Sequence, residues 1–180
     1  MYRSILFFAF LILPLFATHS WAQAQKDPLN SDEVEQVREY ADRPNDRLKL
    51  FQKFIDQRTD AITKLSSDKK APNRTAELRA RMEEFTSLVD ELQDNLDGYD
   101  QEHADIRKAL KQLGPASEKW EPALRIPDAN PSYDFARKTA LESAKTAVDQ
   151  IKELQTDQEK YFAEHKDQAG KNGTGAQGPQ

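Results

Sequence analysis

The chain has 180 residues, with 26 Lys and Arg against 31 Asp and Glu, 37% apolar residues, six glycines and no cysteine. That length suits one domain with a modest core. The missing cysteines exclude disulfides, thiolate metal sites, cysteine nucleophiles and covalently attached c-type haem, and a formal charge of −5 offers no footing for nucleic acid or anionic lipid, which are held by clustered Lys and Arg.

The first 24 residues read as an export signal. Arg3 supplies the positive start, Ile5 to Ala17 is an almost unbroken apolar run, and Ala22-Gln23-Ala24 has the small–x–small form of a cleavage site. Cleavage after Ala24 is expected, with Ala22 as the weaker alternative. An uncleaved anchor fits less well: the apolar run is 13 residues long and carries Pro14, whereas a span needs about 20. No cysteine is present for lipid attachment. Removing 24 residues, with Arg3 their only charge, leaves 156 residues at a formal charge of −6.

The body reads as all-α, with no stretch that alternates apolar and polar residues over strand length. Asn30, Glu33 and the Leu29–Val34 pair form a helix start of the capping-box and staple type. From there Val34, Val37, Ala41, Pro44, Leu48, Phe51, Ile55, Arg58, Ile62 and Leu65 step by three and four, the spacing of a helix packed on a helix. The first helix is expected over about 31–66, kinked or briefly broken at Pro44.

The second helix is expected over 73–113, from a cap at Asn73 to a stop at Gly114-Pro115. Its row runs Leu78, Met82, Phe85, Val89, Leu92, Leu96, Tyr99, His103, Ile106, Leu110, Leu113. At about 1.5 Å per residue this is a rod of roughly 60 Å. Folding the first helix back on it pairs Leu65 with Leu78, Phe51 with Leu92 and Val34 with Leu110, pairs whose numbers add to 143 or 144. Pro44 then lies opposite Tyr99, next to Gly98, so a shared bend is expected at that level.

The proline-rich stretch from Gly114 to Pro131 reads as an ordered cap with a short turn near Ser117–Leu124. A third helix follows over about 131–165, and residues 167–180, rich in Gly, Gln and Lys, read as a disordered tail. The expected architecture is an elongated, coiled-coil-like antiparallel three-helix bundle over 25–166, kinked near Pro44 and Gly98.

Candidate chemistry is sparse. His103, on the apolar row opposite Ala41, has Asp100 one turn earlier. One Asp-x-x-His does not make a di-iron bundle site, which takes Glu-x-x-His from two helices and Glu from two more. Arg58 is expected with its stem on Phe85 and its head in solvent. Phe51, Phe54, Phe85, Tyr99, Phe135, Tyr161 and Phe162 read as core, and Trp120 as a plug for the bundle end. Asn73-Arg74-Thr75 and Asn172-Gly173-Thr174 match the glycosylation acceptor pattern. Ser66, Ser67 and Ser117 have no histidine within reach of the expected register, and no phosphate loop, nucleophile elbow or calcium loop is present.

No catalytic, cofactor-binding or metal-binding residue is therefore assigned. The expectation is an exported, non-catalytic helical interaction or scaffold protein of the cell envelope, periplasmic or extracellular, acting through a protein partner or self-association. It needs no cofactor, binds no nucleic acid and, once the leader is removed, no membrane. The alternative is a small-molecule or metal binder with its site inside the bundle near Pro44, Gly98 and His103.

Overall fold

The computed structural model describes residues 27–171. The expected export signal, the expected cleavage point after Ala24 and residues 172–180 lie outside them. The described residues are helical, without strand, and no helix among them is long and apolar enough to cross a membrane.

The capping box forms as the sequence implies. Asn30 accepts the N–H groups of Asp32 and Glu33, each at 3.0 Å, and Glu33 returns a bond from the Asn30 N–H at 2.9 Å. Helix α1 is short, Ser31–Glu39, and α2, Pro44–Ser67, begins with Pro44 in its first turn, where a missing N–H costs nothing. Pro44 therefore separates two helices instead of kinking one. The chain reverses between them, and α1 lies back along α2, with Glu33 on Arg58 and Gln36 on Lys53. The expected pairing of Val34 with Leu110 does not arise from this arrangement.

Helix α3, Arg74–Gln101, runs antiparallel to α2. Arg58 meets Glu84, a pair summing to 142, close to the expected register. Asn73 precedes α3 with φ of 53° and makes no side-chain cap. Asparagine tolerates that left-handed conformation better than most residues. Arg74 instead closes the other helix, donating from Nε to the Leu65 carbonyl at 2.7 Å.

The expected rod over 73–113 does not form. It divides after Gln101, and α4, Arg107–Ser117, continues through Gly114-Pro115 before α5, Trp120–Arg125. Gly98 lies within α3 and marks no bend. The last helix, α6, covers Asp134–Glu164, close to the expected third helix.

Helices α4 and α5 run end to end and share one position in the bundle, so the expected three helices become four positions occupied by α2, α3, α6 and the α4–α5 pair. Each packs on two neighbours, whereas α3 and α4 lie across the diagonal, as do α2 and α6. Directions follow from the bonds. Ser143 with Asp90 and Gln150 with Asp97 make α3 and α6 parallel. Asn45 with Ala109 and Asp56 with Trp120 make α2 and α4–α5 parallel. Leu110 with Gln155 and Glu118 with Lys152 make α4 and α6 antiparallel.

One continuous core fills the interior. Phe54, Leu88 and Leu154 are buried within the single chain. Phe85 and Trp120 meet edge to face across the diagonal, centroids 6.1 Å apart, an arrangement worth about 0.5–1.5 kcal/mol beyond its area. The parallel α3–α6 register puts Ala136 and Ala140 at the Phe85 level, and these small residues let α6 close over the two rings.

Residues 167–171, expected to be disordered, form turns held to the body. Gly170 N–H donates to Asp105 at 2.8 Å, and Asp105 N–H donates to the Lys171 carbonyl at 2.9 Å.

Candidate functional site

The break between α3 and α4 is where the sequence placed its candidate His103. It is a Schellman helix end: His103 N–H bonds to the Asp100 carbonyl and Ala104 N–H to the Tyr99 carbonyl, both at 2.9 Å. His103 takes the left-handed position, φ 53°, usually filled by glycine. Histidine is one of the few side chains enriched there. The turn throws His103 outward, so it is exposed and not on a buried seam opposite Ala41.

Outside the bundle His103 stacks on Tyr161 at 4.4 Å, and His165 stacks on the same ring at 4.2 Å. Two rings that close and that nearly parallel must occupy opposite faces of the phenol. Their nitrogens therefore cannot converge on one ion. Among the described residues no three His, Cys, Asp or Glu side chains gather with metal-binding geometry.

Two side chains far away in sequence, and one within the turn, make the break possible. Asn45 of α2 donates to the Asp105 carbonyl at 2.7 Å and accepts Ala109 N–H at 2.8 Å. Gln158 of α6, almost wholly buried, accepts Ile106 N–H at 3.2 Å and donates to Asp100 at 3.2 Å. Arg107 forms a two-pronged pair with Asp105, bonds that overcome burial and lower the Asp105 pKa. All this polar chemistry serves backbone groups that a diagonal crossing would leave unpaired.

Arg58 departs from expectation too. Its head is not in solvent: 8% of the residue is exposed. Nη1 and Nη2 each reach Glu33 at 2.7 Å, Nη2 also reaches the Pro28 carbonyl at 2.7 Å, and Nε lies 3.3 Å from Glu84. Burial opposes the charge on Glu33, but the Arg58 and Asn30 bonds prevail and its pKa falls. This cluster fastens α1 onto α2 and α3.

The remaining candidates sort simply. Trp120 is fully buried, its indole N–H on Asp56 at 2.9 Å, but Asp56 and Phe85 stand midway along α2 and α3, so the ring fills the middle of the bundle and not its end. Ser66 bonds to the Ile62 carbonyl and Ser117 to the Gly114 carbonyl, so each buried hydroxyl is satisfied within its own helix. Asn73 of the first acceptor triplet is exposed in the α2–α3 turn, and the second triplet lies outside the described residues.

Among the aromatics read as core, Phe51, Phe54, Phe85 and Phe162 are buried and Tyr99 and Tyr161 partly so. Phe135 is not: it stands 83% exposed in the first turn of α6. Beside it α3 and α6 leave a recess of about 140 Å³, lined by Thr86, Ser87 and Asp90 on one wall and Ala136 and Thr139 on the other. Sequence reading missed Phe135 as a surface residue. The signal was its phase, one position before the inward row Ala136, Ala140, Ala144, Ala147.

Comparison of the chain with protein-family models, with curated proteins and with solved structures finds no match.

Proposed function

We propose that the chain is an exported, non-catalytic helical interaction protein of the cell envelope. The observation that carries this reading is Phe135. An aromatic ring left in water at the edge of an apolar-floored recess, on a body whose other phenylalanines from Phe51 onward are buried, is the form of a contact anchor. Two features support it. The bundle interior is filled by its own side chains, and the polar groups at the α3–α4 break are engaged with backbone. Export rests on the leader.

The test is cross-linking in intact cells with a photoreactive residue at 135, a tag on the C-terminal tail, and mass spectrometry of both the adducts and the N-terminus. A specific adduct and a chain beginning at Gln25 are the expected results. A chain that retains its leader, or a residue 135 that captures nothing, removes the reading.

A binder of small polar molecules has one observation in its favour. Near Pro44, the Nε of Arg47 and the hydroxyl of Tyr99 are buried, and Arg47 and Tyr99 face each other without a well-formed hydrogen bond at either atom. A ligand there would raise the melting temperature by mass action, and a scaffold would not respond.

A further inference from the structure

The α3–α6 face around Phe135 matches itself. We infer that it docks a second copy of this chain, with the α6 of each copy lying over the α3 of the other. The inference rests on the interaction reading above and names its partner.

A contact between identical surfaces must be self-complementary about a two-fold axis. Here the two helices are parallel with an offset of 53 residues, seen in Ser143 with Asp90 and Gln150 with Asp97. An axis lying in the contact plane, along the helices and between them, exchanges α3 and α6 while keeping every level. Phe135 shares the level of Met82 and Lys138 that of Phe85. After rotation, Phe135 of one copy descends on the α3 side of the other copy's recess. Lys138 of that copy falls between Glu83 and Asp90 of the other, about 3 Å along the axis from the first and about 7.5 Å from the second.

The charges agree with this placement. Lys138 is highly exposed and its ion pair with Glu142, at 4.0 Å, is at the limit of contact. Glu83 is about half exposed and pairs with Arg79 of its own helix, an exposed i,i+4 contact that leaves its second oxygen open to Lys138, and Asp90 is exposed and accepts the Ser143 hydroxyl. Beyond Lys138, the α6 border of the recess continues as Thr139, Ser143, Thr146 and Gln150, short or uncharged side chains that allow close approach. The face is also large enough. At that offset Asp134 stands level with Arg81, so α6 flanks α3 only over residues 81–101. The shared face is then about 31 Å long and, with two helices about 9 Å apart, gives roughly 570 Å² per copy, or about 1,100 Å² in all, above the roughly 1,000 Å² a specific contact needs.

The experiment is sedimentation equilibrium on the protein purified as the cells process it, with melting curves to confirm that each variant folds. The wild type should dimerise. Phe135→Ser should weaken association at least about tenfold, and Lys138→Glu about threefold or more, in keeping with an anchor and a rim charge. Lys138→Glu combined with Glu83→Lys and Asp90→Lys should restore it. A wild type that stays monomeric up to about 1 mM, the weak end of specific affinity, overturns the inference. So does a dimer indifferent to Phe135→Ser, or one that the charge reversal does not rescue. Photocross-linking at 135 separates the two proposals. An adduct between copies supports this one, and an adduct to another envelope protein from a monomeric chain overturns it while leaving the interaction reading intact.

Discussion

The side-chain oxygen of Asn45 accepts the backbone N–H of Ala109, 64 residues away, at 2.8 Å, so a residue in the first turn of α2 serves as the N-cap of α4. The same amide holds the Asp105 carbonyl through its nitrogen. Helix α4 has no cap of its own, because Ile106 stands at its N-cap position. Asn45→Ala should cost about 1–2 kcal/mol, the loss of a cap together with a second bond. Asn45→Asp keeps the acceptor and should recover part of it. Urea midpoints read from Trp120 fluorescence would measure both.

Arg58 and Glu33 form a buried pair in which either partner alone is a liability. Arg58→Ala leaves the buried Glu33 carboxylate without its cation, while Glu84 keeps Arg81, and should cost about 3–5 kcal/mol. The pH dependence follows from the lowered pKa of Glu33. Stability from this carboxylate is fully present above its ordinary value of 4.5, and is lost as pH falls through the lower folded value. Denaturant midpoints should therefore drop below that value in the wild type. In Glu33→Gln that contribution to the drop should vanish, from a protein already weaker at neutral pH.

Glu91 runs the opposite way. Burial raises its pKa, Asp27 and Asp94 add to the rise, and Arg47 only partly offsets them. The folded protein holds this proton more tightly than the unfolded chain, so the charged form weakens the fold once pH passes the folded value. Glu91→Gln should raise stability at neutral pH by about 0.5 kcal/mol, the modest size suiting a half-exposed group. That corresponds to a melting temperature higher by about 1–2 °C, and the gain should shrink as pH falls.

The two glycines of the body should respond differently to alanine. A Cβ at Gly98 meets nothing within 4 Å, so Gly98→Ala should stabilise α3 by about 0.5–1 kcal/mol. A Cβ at Gly114 would come within 2.7 Å of Gln155 Nε2. The amide can swing away only by leaving the Leu110 carbonyl it holds at 2.8 Å, so the helical gain at 114 should be cancelled. Thermal melts of the two single variants distinguish these outcomes.

Where local signals governed, the sequence was readable. Asn30 and Glu33 cap α1, Pro44 opens α2, the α2–α3 seam keeps its register, and α6 ends within a residue of expectation. The break after Gln101 was hidden because Tyr99, Ile106, Leu110 and Leu113 stay in phase across it. The turn at 102–106 changes the direction of the axis while keeping these side chains facing the core. What decides the break is the satisfaction of backbone groups by Asn45 and Gln158, residues dozens of positions away that no local pattern connects to it. The reversal of α1 was hidden likewise, since Val34 and Val37 continue the rhythm of α2. Arg58 explains both its burial and that reversal, once Glu33 is seen as its partner.

The pairing of α3 with α6 has a consequence for the order in which the chain can take shape. Partners on these parallel helices are more than 50 residues apart, with α4 and α5 between them. Before α6 exists, the α1–α2 and α2–α3 reversals can close from neighbouring segments. A nascent chain stopped anywhere before α6 would expose the face of Phe85, Trp120 and Leu124 that the alanines of α6 cover. Contacts of this range are slow to form, and intermediates that lack them are prone to associate. Assembly is thus gated by the last helix to be synthesised, and Ala136 to Phe162 time the completion of everything made before them.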